Sequence, residues 1–536
     1  LTQLNLTYLC VAQAVYQIVA DISALRVHPQ YNISNYIFMK YAIRKDLVEL
    51  DVSNDAINKL SRLLDKIESG DDTVLLTPMG KAKGPESILS GWDSIFNANR
   101  GKMNDILLEL EDNNRSKYGP RSIAVPWLER KAGIDDTFSR DEGKEIESRP
   151  QSYLRLRPIT IDTAARFIKK QTSAGLPSMD KKGTVLNNTL NNLNRKLSYR
   201  YPSIMFTRTQ ENSKTRTVWG YPLAAVLDEM QFYRPILEYQ RNIPWRAALK
   251  NADDIDTAIT NLIIHARDQK KSLVSIDFSN FDNSVKKSLQ KYAFEVYFPS
   301  LFQNQYRPEL ALHGERFNTI GLVTPDSIRY GPHGIPSGSA YTNEVGSVVQ
   351  HGISLDYDEE LKYSQVQGDD GAYAVSDPEA FKEHFRSYGL DVNDDKSYIS
   401  DEFVVYLQNL YHLDYIDSGL IRGIYPTYRA LLRIVYQERF NDFSEDDISG
   451  KDYYAIRTLS ILENVKHHPL FRELVKYVVG LDKFNLNVSD QGISAYIKMR
   501  EKQDGKDVRF TEYKRGDGYG IKSFSSYKLA REFSGK

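Results

Sequence analysis

Tyr363–Val375 reads YSQVQGDDGAYAV, two short runs of alternating apolar and polar residues on either side of Gly368-Asp369-Asp370-Gly371. Alternation with period two marks a half-buried strand, and a tight Asp/Gly turn between two such runs makes a β-hairpin. The turn carries two adjacent carboxylates. Asp-Gly is also simply a good turn dipeptide, so the hairpin alone assigns no chemistry. Its neighbours in the chain do.

Upstream, the apolar run Leu273–Ile276 ends in Asp277-Phe278-Ser279-Asn280-Phe281-Asp282, after which Val285, Leu289, Tyr292, Ala293 and Val296 mark a helix face. Gly331–Ser339, GPHGIPSGS, is a Gly/Pro/Ser loop, and Val345, Val348, Val349 and Ile353 mark the helix that follows it. Beyond the hairpin, Phe381, Phe385 and Tyr388 give a third helix, closed by Gly389. Strand, helix, hairpin, helix, strand is the order of a ferredoxin-like antiparallel sheet with helices on one face, an α+β fold. Such a sheet sets Asp277, at the end of its first strand, beside Asp369 at the hairpin tip, with Asp370 adjacent. Convergent carboxylates repel one another and are costly to desolvate unless a cation sits among them. Hard oxygen ligands select Mg²⁺ or Mn²⁺, and two such ions roughly 4 Å apart catalyse nucleotidyl transfer.

The chain of 536 residues is longer than a single core supports, so two or more subdomains are expected. Its hydrophobic content of 41% and charged content of 26% are those of an ordinary globular protein. The net charge of −1 means that any polyanion must be met by local basic surface. Cys10 stands alone, which excludes an internal disulfide and a cysteine zinc site within this sequence and fits a reducing compartment. No basic, then apolar, leader pattern opens the chain. Leu4, Tyr8, Val11, Val15, Ile18, Ile22 and Leu25 predict a long amphipathic helix, and Gln13, Gln17 and Asp21 interrupt it too often for a membrane span. Lys45–Glu68 reads as further helix, Thr77–Gly84 as a loop, and Glu111–Gly143 as a charged stretch.

Two polar segments precede the sheet. Gln171–Pro177, QTSAGLP, is a loop. Asn194–Gly220 sets Arg195, Lys196, Arg200, Arg208, Lys214 and Arg216 against the single acid Glu211, and its Thr and Val residues predict two strands. This is either a solvated basic hairpin or a polyphosphate site.

Taken together and in order, DFSNFD at 277–282, SGSAYTN at 337–343 and GDD at 368–370 resemble motifs A, B and C of the viral RNA-directed RNA polymerases. NDDKS at 393–397 resembles motif D, VVYLQNLY at 404–411 motif E, Arg208-to-Arg216 motif F and TSAGLP motif G. The style is most similar to the enzymes of small bisegmented double-stranded RNA viruses, the picobirnaviruses and partitiviruses. The resemblance implies a right-hand polymerase: fingers, a palm built on the ferredoxin-like sheet, and a mostly helical thumb. The expected division is 1–70 as an N-terminal helical extension, 71–265 as fingers, 266–410 as palm with a fingers insertion near 298–333, and 411–536 as thumb and C-terminal tail.

It also implies roles. Asp277 and Asp369 hold two Mg²⁺ or Mn²⁺ ions, with Asp370 nearby, and Lys396 is a candidate general acid. Asp282 and Asn343 bond the ribose 2′-hydroxyl, supported by Ser337 and Thr342 through a flexible Gly338 loop; either could instead be a helix cap. Arg208, Lys214 and Arg216 embrace the triphosphate, and Gly175 and Pro177 shape the template entrance. The implied partners are RNA template, product duplex and ribonucleoside triphosphates, with a viral capsid protein as a further candidate and no membrane. The implied setting is the virion interior and the host cytoplasm. A reverse transcriptase, or a non-catalytic RNA-binding or capsid-associated protein of the same fold, would share much of this pattern. No Gly-x4-Gly-Lys-Ser/Thr phosphate loop is present to suggest a built-in helicase.

After Tyr411 the sequence turns helical. Tyr428, Leu431, Leu432 and Val435 form one apolar stripe and Ile456, Leu459, Ile461 and Leu462 another. Lys514–Lys536 shows no clear period and is expected to be a flexible terminus, or an aromatic platform entering the active site.

Overall fold

The computed structural model describes residues 42–535, apart from 142, 151–153, 441, 444–445 and 505–519. The helix expected over Leu4–Leu25 and the start of the Lys514–Lys536 tail therefore lie outside the described residues.

Asp277, Asp369 and Asp370 stand at one end of a four-stranded antiparallel sheet, ordered Tyr398–Ser400, Ser272–Ile276, Asp370–Val375, Gln365–Gln367. The helices Thr342–Tyr357 and Pro378–Arg386 connect these strands, which gives the ferredoxin-like order expected. Asp377 starts the second helix by accepting the Ala380 N–H (3.0 Å), with Pro378 inside the first turn, and Gly389 at φ 78° follows its end. Val274, Ile276, Tyr373 and Val375 point to one face and share a core with Val345, Val348, Val349, Phe381 and Phe385.

The opposite face is covered too, which corrects the one-sided expectation. Leu273, Ala372 and Ala374 pack against Ile259, Leu262, Ile263 and Ala266 of the helix Ala252–Gln269, together with Tyr406 and Tyr411 of the next hairpin. Two alanines in the middle of a strand leave room for a helix to approach, and burial on both faces removes the polar alternation of an open sheet. Residues 252–265, expected in the fingers, thus pack as the back of the palm.

The basic hairpin forms as expected, Ser203–Thr209 against Thr215–Gly220. Leu322–Val323 adds to it in parallel and Ile328–Arg329 completes a second four-stranded sheet. The interval 298–333 is therefore divided: its strands join the fingers sheet, while Leu310 and Phe317 of Arg307–Thr319 remain in the palm core.

The C-terminal core holds a larger correction. Ile88, Trp92, Phe96, Leu107 and Leu110 are buried in one cluster with Tyr428, Leu431, Leu432, Ile456, Leu459, Leu474 and Val478. The helices Pro85–Ala98 and Asp105–Ser116 were expected in the fingers, but their apolar stripes close on the C-terminal helices instead. Ile521, Phe524 and Ala530 enter the same cluster, and Ser525–Phe533 is a helix. The Ser526 N–H donates to Glu463 (2.9 Å), so this part of the tail is neither free nor inserted in the active site. Lys45–Glu68 is two helices, 42–49 and Asn54–Ser69, parted at Asp51 (φ 59°) and restarted by Ser53, whose side chain accepts the Ala56 N–H.

Candidate active site

Register decides what meets at the end of the palm sheet. Ile276 pairs with Gly371 and Gln367 with Asp370, so Asp277, one residue beyond Ile276, emerges beside the turn that carries Asp369 and Asp370. Gly368 turns the chain at φ 66°. A Cβ on Gly371 would crowd the ring of buried Tyr373 (2.6 Å) and the Ile276 side chain (3.0 Å) as well as the Gln350 amide, so glycine permits the close approach there.

Both ends of this pair are clamped. The Asp277 N–H donates to Ser397 Oγ (3.1 Å) and its carbonyl accepts the Asn393 N–H (2.9 Å). The Asn393–Ser397 turn thereby wraps the aspartate and brings Lys396 Nζ to 4.0 Å from its Oδ2. On the other side, the Gly368 N–H donates to Ser347 Oγ (2.8 Å), which donates in turn to the Asn343 carbonyl (2.7 Å).

The carboxylates share one electrostatic neighbourhood. Burial, then repulsion from Asp369 and Asp277, pushes Asp370 up to about 7. Asp282 still meets solvent, but protein surrounds it on most sides; that burial, with Asp369 nearby, raises it to about 6. Asp277 is also raised, by burial first, with Lys396 pulling it down and Asp369 pushing it up. Lys214 is lowered by burial and by repulsion from Arg216 and Lys396. Among the described residues no three acidic, His or Cys side chains already form a closed ligand cluster. The site gathers mutually repelling carboxylates that the nearby cations offset only in part, an arrangement that a hard divalent ion relieves.

The remaining residues divide. Ser337 Oγ accepts the Trp219 N–H (3.1 Å), tying the loop before the long palm helix to the fingers hairpin. Gly338 is pressed on the same residue: a Cβ there would overlap the Trp219 carbonyl oxygen. This glycine serves contact, which corrects the flexible loop expected. Thr342 Oγ1 donates to the Pro336 (2.8 Å) and Ser339 (3.0 Å) carbonyls, so it stabilises the loop itself. The capping alternative for Asp282 and Asn343 fails, because neither adjoining helix has a side-chain cap and the N-cap positions are Asn280 and Tyr341. Arg208 Nε donates to Glu438 (3.2 Å), so its guanidinium is bound to the thumb side rather than free in the cleft. Gly175, at φ 64°, lies against the Gly220 and Tyr221 carbonyls, and the Leu176–Pro177 peptide bond that follows is cis.

Residues 130–458 match the family model for viral RNA-dependent RNA polymerase, more than half of the chain. The chain belongs to that family. It is 31% identical over 468 residues to a potential RNA-dependent RNA polymerase of human picobirnavirus, covering 80% of this chain and 85% of that one. It is 27% identical over 283 residues to the RNA-directed RNA polymerase of Cryptosporidium parvum virus 1, covering 46% and 53%. The crystal structure of a human picobirnavirus RNA-dependent RNA polymerase superposes with a TM-score of 0.73 at 26% identity, over 90% of this chain and 99% of that one. This RNA-directed RNA polymerase accordingly has the right-hand fold and acts on RNA and nucleoside triphosphates, and divalent metal ions are general in its family.

The polymerase site also contains residues that the motifs did not show. Lys117 lies close enough to Asp277 and Lys396 to feel both, and Arg429 acts on Asp370. Arg429 and Arg433 stand four apart beside an apolar stripe, which a sequence shows as a basic helix face without saying what it faces. Glu229 is fully buried and accepts from Ser339 Oγ (2.6 Å) and the Ala340 N–H (3.0 Å), bracing the loop from beneath.

Proposed function

We propose that this polymerase replicates and transcribes a viral double-stranded RNA genome by two-metal nucleotidyl transfer from ribonucleoside triphosphates. The reading rests on one observation, the Ile276–Gly371 pairing that brings Asp277 to the Asp369–Asp370 turn. Likeness to the picobirnavirus and Cryptosporidium virus enzymes supports the kind of genome.

Asp277 and Asp369 offer the hard oxygen donors that Mg²⁺ or Mn²⁺ prefers, with Asp370 beside them. When bound, two such ions activate the attacking hydroxyl and neutralise the leaving pyrophosphate. Lys214 and Arg216 hold the triphosphate, and Arg208 joins them by exchanging Glu438 for phosphate. Lys396 carries a proton next to Asp277 and gives it to the pyrophosphate. Asp282 and Asn343 bond the ribose 2′-hydroxyl over the loop braced by Ser337 and Thr342. Gly175, Pro177 and Gly338 border the template path. The working partners are template, duplex product and nucleotides, with a capsid protein in addition, in the virion interior and the host cytoplasm. Among the described residues no helix is long and apolar enough to cross a membrane.

A primer-free assay on single-stranded RNA, with Mg²⁺ and Mn²⁺ varied, tests this. Template-dependent ribonucleotide incorporation is expected, lost in Asp369→Ala while RNA binding is retained. Preference for deoxyribonucleotides would make the enzyme a reverse transcriptase, and an unchanged Asp369→Ala would remove the site.

A further inference from the structure

Between the helices Leu223–Gln240 and Ala252–Gln269 the chain makes a short 3-10 turn, Pro244–Leu249, beneath the carboxylate hairpin. Gln365 fastens it there: Nε2 donates to the Pro244 carbonyl (2.9 Å) and Oε1 accepts the Ala247 N–H (3.2 Å). The turn sends Arg246 into the interior, where its side chain is 0% exposed and faces Glu344, 2% exposed, at 3.4 Å. The same Nη2 donates to Asn343 Oδ1 (3.1 Å), and Nη1 reaches the Val366 carbonyl (3.5 Å).

A guanidinium only donates, so the Asn343 atom that meets it must be the amide oxygen. The reverse rotamer would set an NH2 group against a cation. Gln367 Nε2 supplies a second donor to the same oxygen (3.0 Å). With Oδ1 committed twice to the interior, Nδ2 is the group left over. It sits beside the Gly368 turn, 3.4 Å from where a Cβ of that glycine would stand.

We propose that Arg246 is a positioning residue for sugar discrimination. By holding the Asn343 oxygen inward it makes Asn343 a pure donor toward the nucleotide pocket, to complement the acceptor Asp282. A 2′-hydroxyl satisfies one donor and one acceptor together; a 2′-hydrogen satisfies neither and leaves both unpaired. Lysine cannot replace Arg246, because only a forked cation reaches Glu344, Asn343 and the Val366 carbonyl at once. A buried ion pair adds little stability by itself; its value here is orientation. The inference rests on the reading of Asn343 as a ribose contact.

The test compares kcat/KM for a ribonucleotide and its 2′-deoxy analogue, on the full chain, in wild type, Asn343→Ala, Arg246→Lys and Gln367→Leu. Asn343→Ala should lower the ribo/deoxy ratio. Arg246→Lys should lower it about tenfold, the effect of one lost hydrogen bond, through a higher KM for the ribonucleotide with the deoxynucleotide unchanged. Gln367→Leu should lower it less, and it serves as the deciding variant if Arg246→Lys does not fold. Equal losses for both sugars in Arg246→Lys and Gln367→Leu would reduce Arg246 to a structural residue. If Asn343→Ala still lowers the ratio in that case, the ribose reading stands and only the role of Arg246 falls. An unchanged ratio in Asn343→Ala removes both.

Discussion

Gly338 carries no side chain because the Trp219 carbonyl occupies the space where one would begin. The neighbouring Ser337 hydroxyl accepts the Trp219 N–H, so two consecutive residues fasten the palm loop to the end of the basic hairpin. Gly338→Ala must push two backbone segments apart, and overpacking of this kind costs about 1–3 kcal/mol. The expected outcome is a lower melting temperature and a drop in synthesis larger than the drop in RNA binding. Thermal unfolding and a template-binding assay, run on the same preparation, check it; a variant as active and as stable as wild type would mean the loop moves freely. The sequence made Gly338 visible as a motif residue but suggested the wrong physical reason for it, since flexibility and close approach both select glycine.

At the scale of elements, the helix Thr427–Val435 begins without a side-chain cap of its own. Glu111, distant in sequence and fully buried, supplies one: its carboxylate accepts the Thr427 N–H (2.7 Å), the Thr427 hydroxyl (2.7 Å) and the Tyr428 N–H (3.1 Å). A carboxylate at a helix N-terminus meets both the free N–H groups and the positive end of the dipole. Glu111→Ala leaves those buried donors unpaired and should destabilise the chain by about 3 kcal/mol. Denaturant unfolding measures this, and a change no larger than that of an exposed carboxylate would show the contact to be incidental. Glu111 read as one charge in a charged stretch, because a cap that comes from another segment leaves no local pattern. The local stop was readable: Gly389, at φ 78°, follows the helix Pro378–Arg386 as expected.

At the scale of the whole molecule, fingers, palm and thumb meet around carboxylates that the fold holds in an unfavourable state. Asp370 is raised from 3.8 to about 7 and Asp282 from 3.8 to about 6. Between those limits the folded chain retains protons that the unfolded chain has released, so stability falls as pH rises through this window. A divalent cation among the carboxylates favours their charged forms and opposes the loss. The melting temperature without divalent metal should therefore be lower at about pH 8 than at about pH 5.5, with Mg²⁺ or Mn²⁺ restoring more at the higher pH. Metal-independent melting at both pH values would show that these acids do not gather a cation. The charged contacts of Glu438 belong to the same scale: it pairs with Arg208 of the fingers hairpin and with Arg121, which also pairs with the hairpin's Glu211, so the chain beyond Val435 is joined to the hairpin.

The order of the palm elements and the hairpin with its two carboxylates were determined by sequence, because each is written in short-range periodicity, turn chemistry and residue type; the family was legible in the ordered motifs that resemble those of viral RNA polymerases. The nearness of Asp277 to Asp369 was legible from the sheet order, and Lys214, Arg216 and Lys396 were singled out by the resemblance; the structure brings all five into one electrostatic neighbourhood. What only the tertiary structure decided is which distant surfaces share a core and which charges share a pocket. The helices at 85–116 close on the C-terminal helices, 252–269 backs the palm sheet, and Arg246 fixes an amide nearly a hundred residues away. Apolar stripes state that burial will occur but carry no address, and a buried ion pair has no local pattern until its partners are folded together.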